Sequence, residues 1–205
     1  MKKNKISKNW LNKQKRDPYF KKSKIEGYRS RSAFKLIELD NKFKFITKNS
    51  NFLDLGSSPG GWSQVAAKKI TNGKIMAIDL KDMTSLYKVN FVKTDITNSE
   101  VLKKINKYFG KKIDIVVSDI AVSTSGNKDL DSYNTGSLCL SAMQLATEVL
   151  DNNGVFVGKL FMGSIFPEIN KKANNRFKRV VRYKPLSSKS ESREIYIYCK
   201  GLIKV

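Results

Sequence analysis

The sequence predicts an α/β fold, a single domain with a mostly parallel, seven-stranded sheet that has helices on both faces and an antiparallel addition at one edge. Short apolar runs alternate with stretches of helical period, which indicates parallel strands joined by helices. The last two runs have no long helix between them, which favours antiparallel pairing at an edge. A length of 205 residues suits one domain with a full core, and the sequence shows no internal repeat.

The individual elements follow from the spacing of the apolar residues. A helix is predicted over residues 30–40, because Ala33, Leu36 and Ile37 fall at positions i, i+3 and i+4 of one face. The short apolar runs predict seven strands, at 51–55, 74–79, 90–93, 113–118, 154–160, 178–183 and 194–199. The helical stretches between these strands are at 61–70, 98–108, 133–150 and 164–173.

Basic residues are concentrated in the first quarter of the chain. The whole chain has 40 lysine and arginine residues against 18 acidic ones, a net charge of +22. Residues 1–48 hold 16 of these basic residues and only four acidic ones. A codon bias toward lysine would raise the total without concentrating it, so we predict a polyanionic partner, most often nucleic acid. We divide the chain into a basic N-terminal arm, residues 1–28, and a folded domain, residues 29–205.

Several classes of protein are excluded by composition. The sequence has no run of 18 or more apolar residues, so we expect no membrane partner. The N-terminus lacks the apolar region of a secretory signal, and it is lysine-rich and serine-poor, unlike a typical transit peptide. We therefore favour the cytoplasm over an organelle. Cys139 and Cys199 lack metal-ligand spacing, so we predict two reduced, buried thiols and no metal site.

The segment DLGSSPGGW, residues 54–62, is a glycine-rich loop between a predicted strand and a predicted helix. It matches neither the dinucleotide fingerprint GxGxxG nor the phosphate-binding GxxxxGK[ST]. Its acid, Asp54, precedes the first glycine and disfavours a pyrophosphate, because like charges would meet. An acid beside bare backbone suits a ligand with a cationic or neutral head.

Four aspartates lie at the ends of the first four predicted strands, namely Asp54, Asp79, Asp95 and Asp119. The carboxyl ends of parallel strands meet at one edge, where α/β folds bind ligands. Asp79 takes the place of the carboxylate that holds ribose hydroxyls, and Asp95 is placed to receive an adenine amino group. Any one of them alone is better explained as a turn or N-cap residue. Together they fit S-adenosylmethionine, which has an amine, a sulfonium, a ribose and an adenine.

The candidates for proton transfer are limited, because the chain contains no histidine. Lys159 lies near the end of a predicted strand that is buried on both faces, where lysines are uncommon. Burial and nearby positive charge would let this lysine accept a proton. The alternative is a lysine that extends to the edge of the sheet. Lys35 and Glu194 have simpler alternatives, a solvated lysine and a charge at a strand edge.

The chain as a whole resembles a known family. The segments that carry the resemblance extend from about Asp17 to Gly201, and they are GYRSRSAFKLIELD, DLGSSPGGWSQVA, AIDL, KTDIT, DIVVSDIA, GVFVGKLF and SREIYIYCKG. They resemble the FtsJ-type (RrmJ-like) ribosomal RNA large-subunit 2′-O-methyltransferases. The resemblance implies a Rossmann-like class I methyltransferase fold, S-adenosylmethionine as cofactor and RNA as substrate.

The family's Lys-Asp-Lys-Glu tetrad has a match at each of its positions. The resemblance implies that the catalytic residues are Lys35, Asp119, Lys159 and Glu194. Lys159 would activate the ribose 2′-hydroxyl, and Asp119 would tune it and contact the cofactor. Lys35 and Glu194 would position the lysine and the substrate.

The family's cofactor contacts carry over to Gly60, Trp62, Asp79, Asp95 and Asp119. With the rest of the loop and the residue after Asp95, the predicted cofactor-binding residues are Asp54, Gly56, Ser57, Pro59, Gly60, Gly61, Trp62, Asp79, Asp95, Ile96 and Asp119.

The resemblance has one departure, in the loop after the fourth strand. The family usually has proline and asparagine after Asp-Met-Ala, whereas this chain has Val122 and Ser123 after Asp119-Ile-Ala. Because this loop lies next to the substrate in the family, the departure concerns the path of the target nucleotide. The basic N-terminal stretch, with Arg29 and Arg31, is expected to hold RNA phosphates.

The expected activity is methyl transfer to a ribose 2′-hydroxyl of RNA, on a uridine of large-subunit ribosomal RNA, either naked or in an assembled subunit, by a monomer. The alternatives are a tRNA 2′-O-methyltransferase and a non-catalytic RNA-binding protein of ribosome assembly. The segments PGGWSQ and SREIY favour ribosomal RNA over tRNA. A pure binding protein has no need of Lys159 in a buried strand, and the missing GxGxxG disfavours a nicotinamide oxidoreductase.

Overall fold

Strands and helices alternate along residues 16–122 and 125–203, the part of the chain that the computed structural model describes. The strands are β1 (Phe52–Leu55), β2 (Ile75–Asp79), β3 (Val89–Lys93), β4 (Ile113–Ser118), β5 (Leu150–Phe161), β6 (Phe177–Tyr183) and β7 (Glu194–Leu202). The helices are α1 (Pro18–Ile25), α2 (Ala33–Phe43), α3 (Gly61–Lys69), α4 (Val101–Phe109), α5 (Lys128–Val149) and α6 (Phe166–Arg176).

The seven strands form one sheet in the order β3-β2-β1-β4-β5-β7-β6. The first five strands pair in parallel, and the order reverses between β1 and β4. Strand β7 lies between β5 and β6 and runs antiparallel to both of them. The predicted fold class, including the antiparallel addition at one edge, is therefore confirmed.

Side chains of the central strands alternate between two hydrophobic layers. Phe52 of β1 belongs to the layer that includes residues of α2 and α3, whereas the next residue, Leu53, belongs to the layer that includes residues of α4, α5 and α6. In β5, Val157 belongs to the α2–α3 layer and Phe156 to the other. Because alternate residues of a strand share a face, Lys159 lies on the α2–α3 side of the sheet.

Helix α2 buries the face that the sequence predicts. Ala33, Leu36 and Leu39 are fully buried. The helix continues to Phe43, beyond the predicted end at residue 40, because the Phe43 ring stacks on Tyr198 with 4.0 Å between the ring centroids. Tertiary packing thus extends the helix past the polar residues that interrupt its pattern.

Helix α1 is not predicted by hydrophobic periodicity, because Ser23 is its one buried residue. Its signals are local. The Asp17 side chain accepts a hydrogen bond from the Phe20 N–H at 3.1 Å, and Pro18 occupies the first turn. The Tyr19 ring packs against Phe34 of α2 at 5.6 Å. The remainder of the predicted arm, residues 1–15, lies outside the described residues.

The structure bears on two predictions from composition, the state of the two cysteines and the lack of a membrane-spanning segment. Cys139 and Cys199 are free and buried, as predicted. Within residues 16–122 and 125–203, no helix combines the length and the apolar character that crossing a bilayer requires.

Candidate active site

Lys159 and Asp119 form a buried ion pair at the carboxyl end of the central strands. The Lys159 ammonium lies 2.9 Å from Oδ1 of Asp119 and donates a hydrogen bond to the Asp119 carbonyl at 2.7 Å. The Lys159 side chain is only 7% exposed. Lysine in such a position is held by its partner rather than by water, so its nitrogen has a fixed location. The alternative of a lysine that extends into solvent is wrong for this residue.

A second ion pair joins helix α2 to the start of β7. The Lys35 ammonium lies 2.7 Å from each carboxylate oxygen of Glu194, and both side chains are largely buried. The Ser188 hydroxyl donates a further hydrogen bond to Glu194 at 2.8 Å. Neither Lys35 nor Glu194 is therefore the solvated edge charge that the sequence leaves open as an alternative.

Tyr196 connects these two pairs and is absent from the sequence-based prediction. Its hydroxyl donates to Oδ1 of Asp119 at 2.7 Å, and its ring lies 5.8 Å from the Lys35 ammonium. Tyr196 faces Lys159 in the antiparallel ladder of β5 and β7. Sequence periodicity predicts only that Tyr196 is a core residue, and the structure shows that it is fully buried. The pairing of β5 with β7 is what brings its hydroxyl to Asp119.

The electrostatics of this cluster favour an ionised Asp119. Burial opposes its charge, but the charges of Lys159 and Lys35 and the hydrogen bond from Tyr196 outweigh burial and hold the pKa of Asp119 below its ordinary value. Burial raises the pKa of Tyr196 well above its ordinary value, and the charges of Asp119 and Glu194 raise it further. Tyr196 therefore stays a neutral donor to a charged acceptor.

A cavity of about 550 Å³ opens beside Asp119 at the point where the strand order reverses. Acidic and apolar side chains line it together. The acids are Asp79, Asp95 and Asp119, and the apolar walls include Ile78, Ile96 and Ile120. Its size lies within the range of small-molecule sites. Of the predicted cofactor-binding residues, the structure places five in this lining, namely Gly56, Asp79, Asp95, Ile96 and Asp119.

Gly56 brings the backbone of the loop close to the opposite wall. Its φ of +76° favours glycine, and an added Cβ would lie 2.5 Å from Cγ1 of Ile120. Gly60 also has a positive φ, +109°, and its N–H donates to the Ser57 carbonyl at 2.6 Å. The remaining loop residue Pro59 accepts a hydrogen bond at its carbonyl from Arg29 at 3.3 Å.

The loop runs into α3, and its last residues pack inward. Gly61 begins the helix, and a Cβ there would lie 2.2 Å from the Ser30 hydroxyl. The Trp62 ring is buried beside Tyr196, and its indole N–H donates to the Ser32 carbonyl at 2.8 Å. The Trp62 side chain thus fixes α2 against α3 rather than lining the cavity. The first N–H groups of α3 have no partner within the helix.

Asp79 and Asp95 each organise the backbone around them. Asp79 accepts hydrogen bonds from the N–H groups of Ser58 and Lys81 at 2.9 and 2.8 Å. Asp95 accepts from both the N–H and the hydroxyl of Thr97 at 2.8 Å. Asp79 and Asp95 thus stabilise turns and also line the cavity. The two interpretations of the sequence, a turn residue and a cofactor-binding residue, are therefore compatible.

Arg29 and Arg31 join elements within the fold. The Arg29 guanidinium donates to the carbonyls of Thr84 and Ser85, both at 2.7 Å. The Arg31 guanidinium contacts Asp17 at the start of α1 and the Ser187 carbonyl in the loop before β7. The sequence does not indicate these contacts, since it suggests phosphate binding for both arginines.

A family model described as FtsJ-like methyltransferase matches residues 28–202. The chain belongs to this family. The match confirms the resemblance that the sequence motifs indicate. It also confirms the predicted class of enzyme, a methyltransferase, and with it the S-adenosylmethionine cofactor.

Curated relatives of this FtsJ-like methyltransferase are similar along nearly their whole length. A protein of Pelagibacter ubique named ribosomal RNA large subunit methyltransferase E is 48% identical over 202 residues, which cover 98% of this chain and all of the relative. A Rickettsia akari protein of the same name is 43% identical, with 92% of this chain and 86% of the relative covered.

Solved structures agree with the fold. A crystal structure described as a ribosomal RNA methyltransferase of Plasmodium falciparum superposes with a TM-score of 0.79 and 36% identity, covering 87% of this chain and all of the other. A Streptococcus mutans methyltransferase, solved with S-adenosylhomocysteine, superposes with a TM-score of 0.54 at 16% identity, over 81% of this chain and 97% of the other. The latter likeness shows the shared fold alone.

Asp54 of this FtsJ-like methyltransferase lies in β1, just inside the loop. Its side chain is fully buried, and it accepts a hydrogen bond from the Ser63 hydroxyl at 2.6 Å at one oxygen. Oδ1 has no hydrogen-bond partner among the described residues. Burial raises the pKa of Asp54 from 3.8 to about 7, partly opposed by the Ser63 hydrogen bond and reinforced by the charges of Asp119 and Asp79.

We expect this carboxyl to make stability depend on pH. Because its folded pKa is raised, its contribution to stability is complete below about pH 3.8 and is lost as pH rises through 7. The free energy of unfolding of the cofactor-free protein should fall by about 2–3 kcal/mol between pH 5 and pH 8. Asp54→Asn, which keeps an acceptor for Ser63, should remove most of that fall.

Urea unfolding at both pH values tests this expectation. The chain has no histidine, so the residue type that ordinarily titrates in this range does not contribute. Parallel pH dependences in the wild type and in Asp54→Asn would contradict the assignment.

Proposed function

We propose that this chain transfers a methyl group from S-adenosylmethionine to a ribose 2′-hydroxyl of large-subunit ribosomal RNA. The observation that carries the proposal is the Lys159 ammonium, held 2.9 Å from Asp119, where Asp119 also lines the acidic cavity. One carboxylate thus belongs to both the candidate base and the candidate cofactor site. The names of the curated relatives support the large subunit as the source of the RNA.

Lys159 is the candidate general base. In its unprotonated form its nitrogen accepts the 2′-hydroxyl proton, and the Asp119 carboxylate stabilises the ammonium that forms. Tyr196 donates to the same carboxylate and limits its movement. A base held in place by a buried partner contributes typically about 10²- to 10⁴-fold to the rate.

Lys35 and Glu194 are positioning residues in this proposal. Lys35 adds positive charge near Asp119, and Glu194 holds Lys35 against the start of β7. The Lys35–Glu194 ion pair lies on the same face of the sheet as Lys159. Tyr196 is opposite Lys159 in the β5–β7 ladder, and Glu194 is two residues before Tyr196, so all three side chains share that face. A ribose at Lys159 would therefore lie beside this pair.

The cavity fits the proposed cofactor. Its acids suit an amine, a ribose and an adenine amino group, and Gly56 leaves room where a Cβ would meet Ile120. Asp79 would hold the ribose, Asp95 the adenine amino group, and Ile96 and Ile120 the adenine faces. S-adenosylmethionine supplies a methyl group on a sulfonium, which a nucleophile can displace. The other loop residues predicted from sequence, Asp54, Ser57, Pro59, Gly60, Gly61 and Trp62, would shape the loop around it.

The proposal extends to the domain boundaries, the target nucleotide, the oligomeric state and the location of the enzyme. We assign residues 1–28 to a basic arm and residues 29–205 to the methyltransferase domain. We propose a uridine target, a monomeric enzyme and a cytoplasmic location. Val122 lines the cavity in the loop that departs from the family pattern, and Ser123 lies outside the described residues.

Transfer of radiolabelled methyl groups to three substrates tests the function. Large ribosomal subunits that lack the modification, naked ribosomal RNA and tRNA are incubated in parallel with enzyme and cofactor. We expect label in a ribosomal substrate, at a linkage that resists alkali, because a 2′-O-methyl group blocks attack by the 2′-oxygen. Label in tRNA alone, or cofactor binding without transfer, would contradict the proposal. The second outcome would favour an RNA-binding assembly protein.

A further inference from the structure

A second cavity, of about 580 Å³, lies between the start of α1 and the loop that joins β6 to β7. We refer to it as the flanking cavity. It touches the tetrad through Ser188, which lines the cavity and donates its hydroxyl hydrogen to Glu194 at 2.8 Å. A polymer whose reacting ribose lies at Lys159 therefore has a neighbouring residue within reach of this cavity.

The walls of the flanking cavity combine apolar surface with cations. The half-buried Tyr19 and the exposed Leu186 supply apolar surface, and Lys184 and Lys189 supply positive charge. Leu186 is 82% exposed although it belongs to an ordered loop. The Lys189 ammonium makes no hydrogen bond or ion pair with any residue that the structure describes. Base faces pack on apolar and aromatic side chains, and phosphates bind lysine, so this combination suits a nucleotide.

The loop that carries Leu186 and Lys189 is fixed from helix α2. The Glu38 carboxylate accepts hydrogen bonds from the N–H groups of Leu186 and Ser187 at 2.6 and 3.0 Å. Arg31 donates to the Ser187 carbonyl. Lys35 and Glu38 are three residues apart in α2 and lie on the same side of it, and Arg31 lies just before the helix. The element that carries Lys35 therefore also orders the loop. The exposed Leu186 is thus presented by a preformed backbone, which lowers the entropic cost of binding.

The acids of the flanking cavity do not cancel its charge. They are Asp17, which faces Arg31, and Glu191. Arg16, Arg31, Lys184 and Lys189 outnumber them. The Lys184 ammonium donates to the carbonyls of Ser190 and Ser192 and so stiffens the loop. Of the two lysines in this loop, Lys189 is therefore the one left for a phosphate.

We propose that the flanking cavity binds a nucleotide of the RNA substrate next to the methylated one, with its base against Leu186 and Tyr19 and a phosphate at Lys189. The proposal rests on the proposed function, because it takes the reacting ribose to lie at Lys159. It assigns substrate affinity to the β6–β7 loop, and not to the N-terminal arm alone.

Two exposed substitutions test the proposal, Lys189→Ala and Leu186→Ala. With large ribosomal subunits that lack the modification as substrate, Lys189→Ala should raise the KM for RNA about three- to tenfold, and it should reduce the slope of log affinity against log salt by about 1. Leu186→Ala should raise the KM about fivefold and leave the salt slope unchanged. Both variants should keep kcat within about twofold, since neither residue contacts the tetrad.

Lys171→Ala is the matched control, an exposed lysine of α6 on the opposite face of the sheet. Binding of a short single-stranded RNA, measured by fluorescence anisotropy, gives a readout that needs no methyl transfer. Lys189→Ala should weaken this binding and lower its salt slope, whereas Lys171→Ala should change neither.

Three outcomes would overturn the inference. One is a KM and salt slope for Lys189→Ala equal to those of Lys171→Ala. Another is a kcat of Lys189→Ala or Leu186→Ala that differs from the wild type by more than about twofold while the KM for RNA is unchanged. The third is weaker binding to subunits with unchanged binding to RNA, which would assign the flanking cavity to a protein of the subunit. Wild-type enzyme that binds RNA and transfers no methyl group would refute the proposed function, and the anisotropy series would still test the cavity.

Discussion

Lys159→Ala is expected to lower kcat for methyl transfer about 10²- to 10⁴-fold and to change the affinity for S-adenosylmethionine little. The 2′-hydroxyl would lose the amine that the fold fixes 2.9 Å from Asp119, and a rate loss of this size corresponds to about 3–5 kcal/mol of transition-state stabilisation. Lys159 itself does not line the cavity, and the substitution leaves Asp79 and Asp95 unchanged. Single-turnover methyl transfer and calorimetric titration of the cofactor measure the two effects separately.

Lys200→Ala is the control for this experiment. Lys200 is an exposed lysine of β7 that lies opposite Val155 of β5, so it tests the loss of a positive charge from the same pair of strands. Its activity should equal that of the wild type. A Lys159→Ala enzyme that binds cofactor and retains activity within tenfold of the wild type would show that another group accepts the proton.

Glu194→Ala is expected to cost about 3–5 kcal/mol of folding stability, because it leaves the Lys35 ammonium buried without its carboxylate. For a chain of this length, the loss corresponds to a fall in Tm of about 6–20 °C. Replacing both partners, with Lys35→Met and Glu194→Met together, should restore most of the stability, since an apolar pair avoids the unpaired charge. The double variant should remain defective in methyl transfer.

Thermal unfolding and initial rates of the single and double variants separate stability from activity. Glu168→Ala removes an exposed ion pair with Lys172 and should cost no more than about 0.5 kcal/mol. If Glu194→Ala melts like Glu168→Ala, the buried pair does not have the structural role assigned to it. If the double variant regains full activity, the pair has no part in positioning the substrate.

The sequence predicts the central strands β1, β2 and β4 well because their apolar runs are buried on both faces. It predicts α5 and β5 less well at their starts, Lys128 and Leu150, which lie before the predicted positions. The Asn127 side chain caps α5 by accepting hydrogen bonds from the N–H groups of Asp129 and Leu130, a local signal that periodicity alone does not detect. Helix α1 is missed for the same reason.

Some residues of the candidate site can be predicted from the sequence, and others cannot. Charged residues that interrupt apolar patterns are visible in sequence, and Lys159 and Asp119 are found by that signal. Residues whose types are ordinary for a core are not visible. Tyr196 and Ile120 belong to this second group, since an aromatic residue in a strand and an isoleucine after a strand both predict packing alone. Ser188 and Glu38 are missed because a loop serine and a helix glutamate predict solvent contact.

By itself, the sequence determined the alternation of strands and helices, the edge at which four acids collect and the identities of the charged residues there. Periodicity and turn chemistry are local, so they can be read from neighbouring residues. Only the tertiary structure decided that Lys35 meets Glu194 and that Lys159, Asp119 and Tyr196 form one cluster. These contacts join residues far apart in the chain, and they depend on how β7 inserts between β5 and β6 and on how α2 packs across them.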